Sequence, residues 1–458
     1  MKDILYSSAS QLARLIVAKE VSSLEVVDAY LARIAVVNPG INAVVQVVPE
    51  AARQQAIAAD IALAKGEALG PLHGVPFTVK DSFDTEGIVS TGGTLGRESC
   101  IPKKDATAIA RLRAAGAIIL GKTNTPELTL AGETDNLIYG RTNNPYDLRL
   151  SPTGSSGGAA AVVAAGGSPL DVGSDAGGSI RVPAHVCGIA GIKPTSGRVP
   201  RSGHILDYCS GALDALQQIG PMARFVEDLI LALPIMAGPD GCDPAIVPMP
   251  LGEVAEIHLG TLRAAVYLQD GIAEPALAIR KTVAGVARAL EAVGMAVEEK
   301  VPPGLEETQD VWWRLFTADG GAWVRQILDK AGTKTTHASL DWVLNSEPVS
   351  VQEYNELLFW MDRFRSRMLG FMQDYDVLLC PVSAYSAVPH GEVTHATWSY
   401  INPYNITGWP AATVRAGVTA EGLPLGVQVV ARPWREDIAL AVCQFIEAEF
   451  AGWQPPEI

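Results

Sequence analysis

Two serine-bearing glycine loops, with Ser155 and Ser179 twenty-four residues apart, hold the side chains best suited to chemistry. The first loop is Pro152-Thr153-Gly154-Ser155-Ser156-Gly157-Gly158. The second is Gly173-Ser174-Asp175-Ala176-Gly177-Gly178-Ser179-Ile180-Arg181. Glycines this dense around hydroxyls let the backbone turn sharply, so that N–H groups converge on an incoming oxygen. Upstream, the apolar run Gly74-Val75-Pro76-Phe77-Thr78-Val79-Lys80-Asp81 delivers a lysine. A serine hydroxyl is a weak nucleophile until a neighbour accepts its proton. A neutral lysine can do so, provided burial lowers its pKa from about 10.4 to roughly 7–8. Two serines and one lysine are enough to cleave an amide without histidine or metal.

The elements that must hold these loops alternate along the chain. Ser22-Ser23-Leu24-Glu25 fits a capping box opening a helix over 26–37, and an alanine-rich helix is expected over 51–65. Strand signals appear at 75–79 and 117–120, with a helix over 105–115 between them and a short helix over 159–165 after the first loop. The rhythm continues through 262–267, 283–293, 296–301, 377–380, 425–431 and a terminal helix from Asp437. It predicts an α/β fold, a sheet covered on both faces by helices. The chain reads as a single domain over 1–458, with no internal repeat or clear linker.

Composition narrows the partners. The net charge of -15 argues against nucleic acid, which needs clustered Lys and Arg. Cys100, Cys187, Cys209, Cys242, Cys380 and Cys443 are too scattered for a C-x-x-C site and read as free thiols of a reducing compartment. The N-terminus lacks the apolar core of a signal peptide, and no run reaches about 18 apolar residues, so neither membrane span nor leader is expected. The reading is cytoplasmic, without metal or cofactor, and with a homodimer as an admissible assembly.

Two motif matches are discounted. Gly116-Ala117-Ile118-Ile119-Leu120-Gly121-Lys122-Thr123 spells a phosphate-binding loop, but an apolar strand stands where the loop should be, and Thr125-Pro126 blocks an immediate helix. Gly154-Ser155-Ser156-Gly157-Gly158 spells a hydrolase elbow centred on Ser156, but the polar stretch 143–152 before it is unlike a core strand. His337, His390 and His395 lack telling context for a base, and His185 reads as a packed core histidine.

The sequence resembles the amidase signature family. The resemblance runs from Ser151 to Gly188-Ile189-Ala190-Gly191-Ile192-Lys193-Pro194-Thr195 through both loops, includes the Lys80 segment, and echoes weakly as far as Gly408-Trp409-Pro410-Ala411. One departure is Thr153, where many members have glycine. The resemblance implies the amidase signature fold, with a central twisted mixed β-sheet and a signature core over about 70–200. It implies Ser179 as nucleophile, Ser155 in cis as bridging proton relay, and Lys80 as base. It further implies an oxyanion hole of the backbone N–H groups of Ala176, Gly177, Gly178 and Ser179. Ser156, Asp175 and Arg181 become supports of the loops, and Thr129 and Ser155 border the substrate.

The expected function is hydrolysis of carboxylic amides through an acyl-enzyme, with aryl or apolar esters and carbamates as related small-molecule substrates. The competing function within the family is that of a glutamine-hydrolysing amidotransferase component, which works on charged tRNA together with partner subunits. Tryptophan is absent from the first 300 residues, then Trp312, Trp313, Trp323, Trp342, Trp360, Trp398 and Trp409 crowd the next stretch. They either line an apolar pocket, favouring the first function, or pack helices over the sheet. Pocket shape is expected from 207–217 and from the tryptophan-rich region, about 302–400.

Overall fold

The computed structural model describes residues 4–67, 70–208 and 214–458. Part of the pocket-shaping stretch 207–217, together with Cys209, therefore lies outside the described residues.

The capping box forms as the sequence predicts. Ser22 Oγ accepts the Glu25 N–H at 3.1 Å, and a Glu25 carboxylate oxygen accepts the Ser22 N–H at 2.8 Å. These bonds satisfy two of the donors that a helix start leaves free. The helix runs Ser23–Ile41, beyond the expected 26–37, and ends at Asn42 with φ 47°.

Among the described residues, eleven strands follow in chain order: β1 (Val44–Val47), β2 (Pro76–Lys80), β3 (Ile118–Thr123), β4 (Leu170–Asp175), β5 (Ala190–Lys193), β6 (Gln218–Ala223), β7 (Arg263–Val266), β8 (Ala296–Glu299), β9 (Val377–Pro381), β10 (Ala411–Val418) and β11 (Pro424–Ala431). They hydrogen-bond as two sheets, β1-β3-β2 and β4-β6-β5-β10-β11-β9-β7-β8. The larger sheet is mixed: β7 runs parallel to β8 and β9, while β10 pairs antiparallel with β5 and β11. Every residue of β9 and β11 is buried. Successive side chains point to opposite faces, so both faces of these strands are covered. The helices Leu277–Ala292 and Glu436–Glu449 pack against this part of the sheet. The α/β class stands. Among the described residues, no helix is long and apolar enough to cross a membrane.

The smaller sheet carries Lys80. It is the last residue of β2, and β2 packs against β4, whose end carries Ser174 and Asp175. The helix Gly157–Ala164 starts directly after Ser155-Ser156, and all eight of its residues are buried. Its glycines permit close approach: a Cβ on Gly158 would lie 2.5 Å from the Asn124 backbone nitrogen. Thr153 holds φ 59°, a left-handed conformation that explains why glycine suits this position.

Candidate active site

Lys80 is fully buried, and its Nζ lies 2.7 Å from Ser155 Oγ, 3.0 Å from Ser156 Oγ and 2.9 Å from Ser174 Oγ. No carboxylate pairs with it among the described residues. Burial pushes its pKa from 10.5 down to about 7, against the pull of Asp171 and Asp175. Asp171 is itself pushed up to about 7 by burial, although Thr78 and Thr123 hydroxyls donate to it. Three hydroxyls fill the hydrogen-bonding capacity of the amine whether it carries three protons or two protons and a lone pair. The Gly154–Ser155 peptide is cis.

Ser179 sits half-buried on the loop between β4 and the helix Arg181–Val186, and its Oγ makes no hydrogen bond among the described residues. Asp175 shapes that loop. Its carboxylate accepts the N–H groups of Gly178 at 2.9 Å and Ile180 at 3.2 Å, and is clasped by Arg181 Nε at 3.0 Å and Nη2 at 2.9 Å. Burial alone would raise the Asp175 pKa. The Arg181 charge and hydrogen bonds, with Asn405, instead hold it well below the usual carboxylate range. Arg181 is completed by the side-chain oxygens of Gln428 at 2.7 Å and Asn405 at 2.6 Å.

This geometry corrects one expectation. The Gly178 N–H is already committed to Asp175, so it is not free to receive an oxyanion. The N–H groups of Ala176, Gly177 and Ser179 have no acceptor among the described residues, and all three residues line the cavity beside Ser155.

Sequence reasoning missed Ser174, Asp171, Gln217, Asn402, Asn405, Gln428 and His204. His204 extends the Lys80 cluster outward. Its Nδ1 lies 3.0 Å from the Leu206 nitrogen and 2.9 Å from the Leu206 carbonyl oxygen, and its Nε2 lies 3.1 Å from Ser174 Oγ. Burial, reinforced by the Lys80 charge, pushes its pKa down to about 3, so the ring is neutral. No motif spacing announces His204. A β-bridge between Phe83, just past Lys80, and His204 brings it in.

The cavity in front of Ser179 measures about 90 Å³. Thr129 lines it as expected, with aromatic walls from Trp312, Trp313, Phe316, Trp342 and Trp398. No charged side chain lines it among the described residues. Trp313, Trp342 and Trp398 also border an adjoining outer cleft of about 640 Å³. Of the other flagged tryptophans, Trp323 borders a separate cleft, Trp360 caps Glu307, and Trp409 is buried in the core.

The discounted motifs behave as sequence context suggests. The phosphate-loop look-alike is strand β3, with Lys122 buried against the Phe83 carbonyl and the Thr85 and Ser90 hydroxyls. His185 is buried, accepts the Gly426 N–H at 2.8 Å, and is pushed down to about 4 by desolvation. His337 and His390 face Asp135 and Glu133 at the outer cleft, and His395 packs on Trp313 there.

A family model described as Amidase matches residues 25–440. An acylamidase of Rhodococcus erythropolis is 34% identical, with 98% of this chain and 96% of that protein aligned. A glutamyl-tRNA(Gln) amidotransferase chain from a Picosynechococcus strain is 33% identical over 98% of this chain and 99% of its own. Among solved structures, a bacterial aryl acylamidase belonging to the amidase signature enzymes superposes with a TM-score of 0.86, at 28% identity, covering 97% of this chain and 96% of that one. With a family match over nearly its whole length and a relative this similar end to end, the chain belongs to the amidase signature family and is an amide-hydrolysing enzyme.

Proposed function

We propose that Ser179 is the nucleophile, Lys80 the general base and Ser155 the proton relay between them. The observation that carries this reading is Lys80, a fully buried amine bonded to three serine hydroxyls and to no carboxylate. Ser179 Oγ attacks the amide carbonyl while its proton passes to Ser155 and the Ser155 proton passes to neutral Lys80. The developing oxyanion takes the N–H groups of Ala176, Gly177 and Ser179. The proton then returns through Ser155 to the leaving nitrogen, the C–N bond breaks, and water hydrolyses the acyl-serine by the same relay. The Ser155–Ser179 link closes when substrate binds, as catalytic hydrogen bonds commonly tighten in the Michaelis complex.

The substrates are aryl or apolar amides, with esters and carbamates of the same shape. The cavity supports this choice: its walls are indole and phenyl rings, and no charged group lines it among the described residues. A glutamine amidotransferase would have to bind a charged α-amino and carboxylate group, which these walls leave unpaired. The test is a fluorophosphonate probe followed by peptide mapping. Labelling of Ser179, lost in Ser179→Ala together with anilide hydrolysis, is expected. An adduct on Ser156 would overturn the assignment.

A further inference from the structure

Asn402 opens the short helix Asn402–Ile406 and lines the same cavity as Ser155 and Ser179. It is 1% exposed, yet neither its Nδ2 nor its Oδ1 has a hydrogen-bond partner among the described residues. Leaving both ends of a buried amide unpaired is costly, and native interiors avoid it. Its neighbours show the contrast. Asn405, three residues on, donates its Nδ2–H to Asp175 and accepts from Arg181 at Oδ1. Gln217, the other side-chain amide lining the cavity, donates to the Leu206 carbonyl at 2.7 Å and to His204. Trp312 and Trp342 donate their indole N–H groups to the Ala176 and Leu130 carbonyls, and so turn apolar rings to the cavity. Asn402, a residue of this cavity's wall, thus carries a buried donor and a buried acceptor with no protein partner among the described residues.

We infer that Asn402 is a specificity-determining residue that pairs with a second amide-type group on an otherwise aryl or apolar substrate; this rests on the amide-hydrolase reading above. Nδ2–H donates to the carbonyl of that group, and Oδ1 accepts its N–H. A primary carboxamide or a lactam presents both partners on one edge, whereas an ether satisfies only the donor and a methyl group neither. Asn402 is also well anchored relative to the reacting bond. Its neighbour Ile401 packs on the Ser179 loop, where a Cβ on Gly178 would lie 2.8 Å from Ile401 Cγ2. A buried polar pair of this kind discriminates strongly, because the wrong substrate leaves it unmatched.

The test uses two series of benzanilides, one substituted on the acyl ring and one on the aniline ring, each carrying carbamoyl, methoxy or isopropyl. In one series, wild-type kcat/KM is expected to favour carbamoyl over isopropyl by about 10-fold or more. Asn402→Leu should collapse or invert that ratio. As a measurement that needs no variant, terephthalamide should inhibit the wild type competitively at lower concentration than 4-isopropylbenzamide. A ratio near one in both series, or a ratio unchanged in Asn402→Leu, overturns the inference while leaving amide hydrolysis intact. Failure to cleave any member, with no probe adduct on Ser179, overturns the underlying reading as well.

Discussion

Replacing Lys80 by methionine should alter both rate and stability along the pH axis, because both follow the same buried proton. If only the neutral amine accepts a proton, wild-type kcat/KM for an anilide should stand near about a tenth of its plateau at pH 6, about half at pH 7 and about nine tenths at pH 8. Lys80→Met should remove this rise and lower the amide rate by about 10²–10⁴-fold. A matched phenyl ester should lose less, since phenoxide leaves with little protonation. The stability sign follows from the depressed pKa. The unfolded chain keeps the Lys80 proton up to about 10.5, whereas the folded chain sheds it above about 7. Between those values the unfolded state binds more protons, so wild-type stability gains from rising pH. The burial penalty is fully present below pH 7 and relieved by about pH 10.5, and amounts to about 5 kcal/mol at about 1.36 kcal/mol per pH unit. Against it stand three serine hydroxyls that lose a partner in the variant, at about 1 kcal/mol each. Lys80→Met should therefore be more stable than wild type at pH 6 and less stable at pH 10. Urea unfolding of both proteins at the two pH values reads the difference directly. Parallel stability curves, or an anilide rate flat from pH 5.5 to 8 in the wild type, would refute the argument.

Arg181→Met leaves the Asp175 carboxylate buried without its ion-pair partner, and should lower unfolding free energy by about 3–5 kcal/mol in urea titration. Gly177→Ala places a Cβ 2.6 Å from Trp312 Cζ2, a ring held by its bond to the Ala176 carbonyl. Displacing the oxyanion loop against that wall should reduce kcat/KM by up to about 10²-fold, with a melting temperature near wild type. His204→Leu removes the ring nitrogen that hydrogen-bonds Ser174 beside Lys80, and His204 does not border the substrate cavity. Anilide kcat should fall by about 10-fold with KM nearly unchanged; a fall confined to KM would show that His204 contacts substrate.

Much of the site was legible in the chain because its chemistry is concentrated in short segments. Ser155, Ser156, Asp175, Ser179 and Arg181 lie within two glycine loops, and Lys80 ends an apolar run, so residue type and order alone point to serine-based acyl transfer. The alternation of apolar strands and amphipathic helices likewise carries the α/β class, since periodicity is a local property. The capping box at Ser22 is local in the same sense. What the sequence left open depends on partners far along the chain. Strand β4, Leu-Asp-Val-Gly-Ser-Asp, does not read as a strand, yet all six of its residues pair with β6, and Asp171 is satisfied by the hydroxyls of Thr78 and Thr123. Seven tryptophans stood out by composition, but packing alone decided that Trp312, Trp313, Trp342 and Trp398 face Ser179. The family resemblance implied four oxyanion donors, and only the Asp175 contact shows that the Gly178 N–H is engaged elsewhere. His204 and Asn402 carry no spacing signal at all. The pKa of Lys80, the depressed pKa of His204 and the unpaired amide of Asn402 are set by burial and by which neighbours are within reach, and those exist only once the chain has folded.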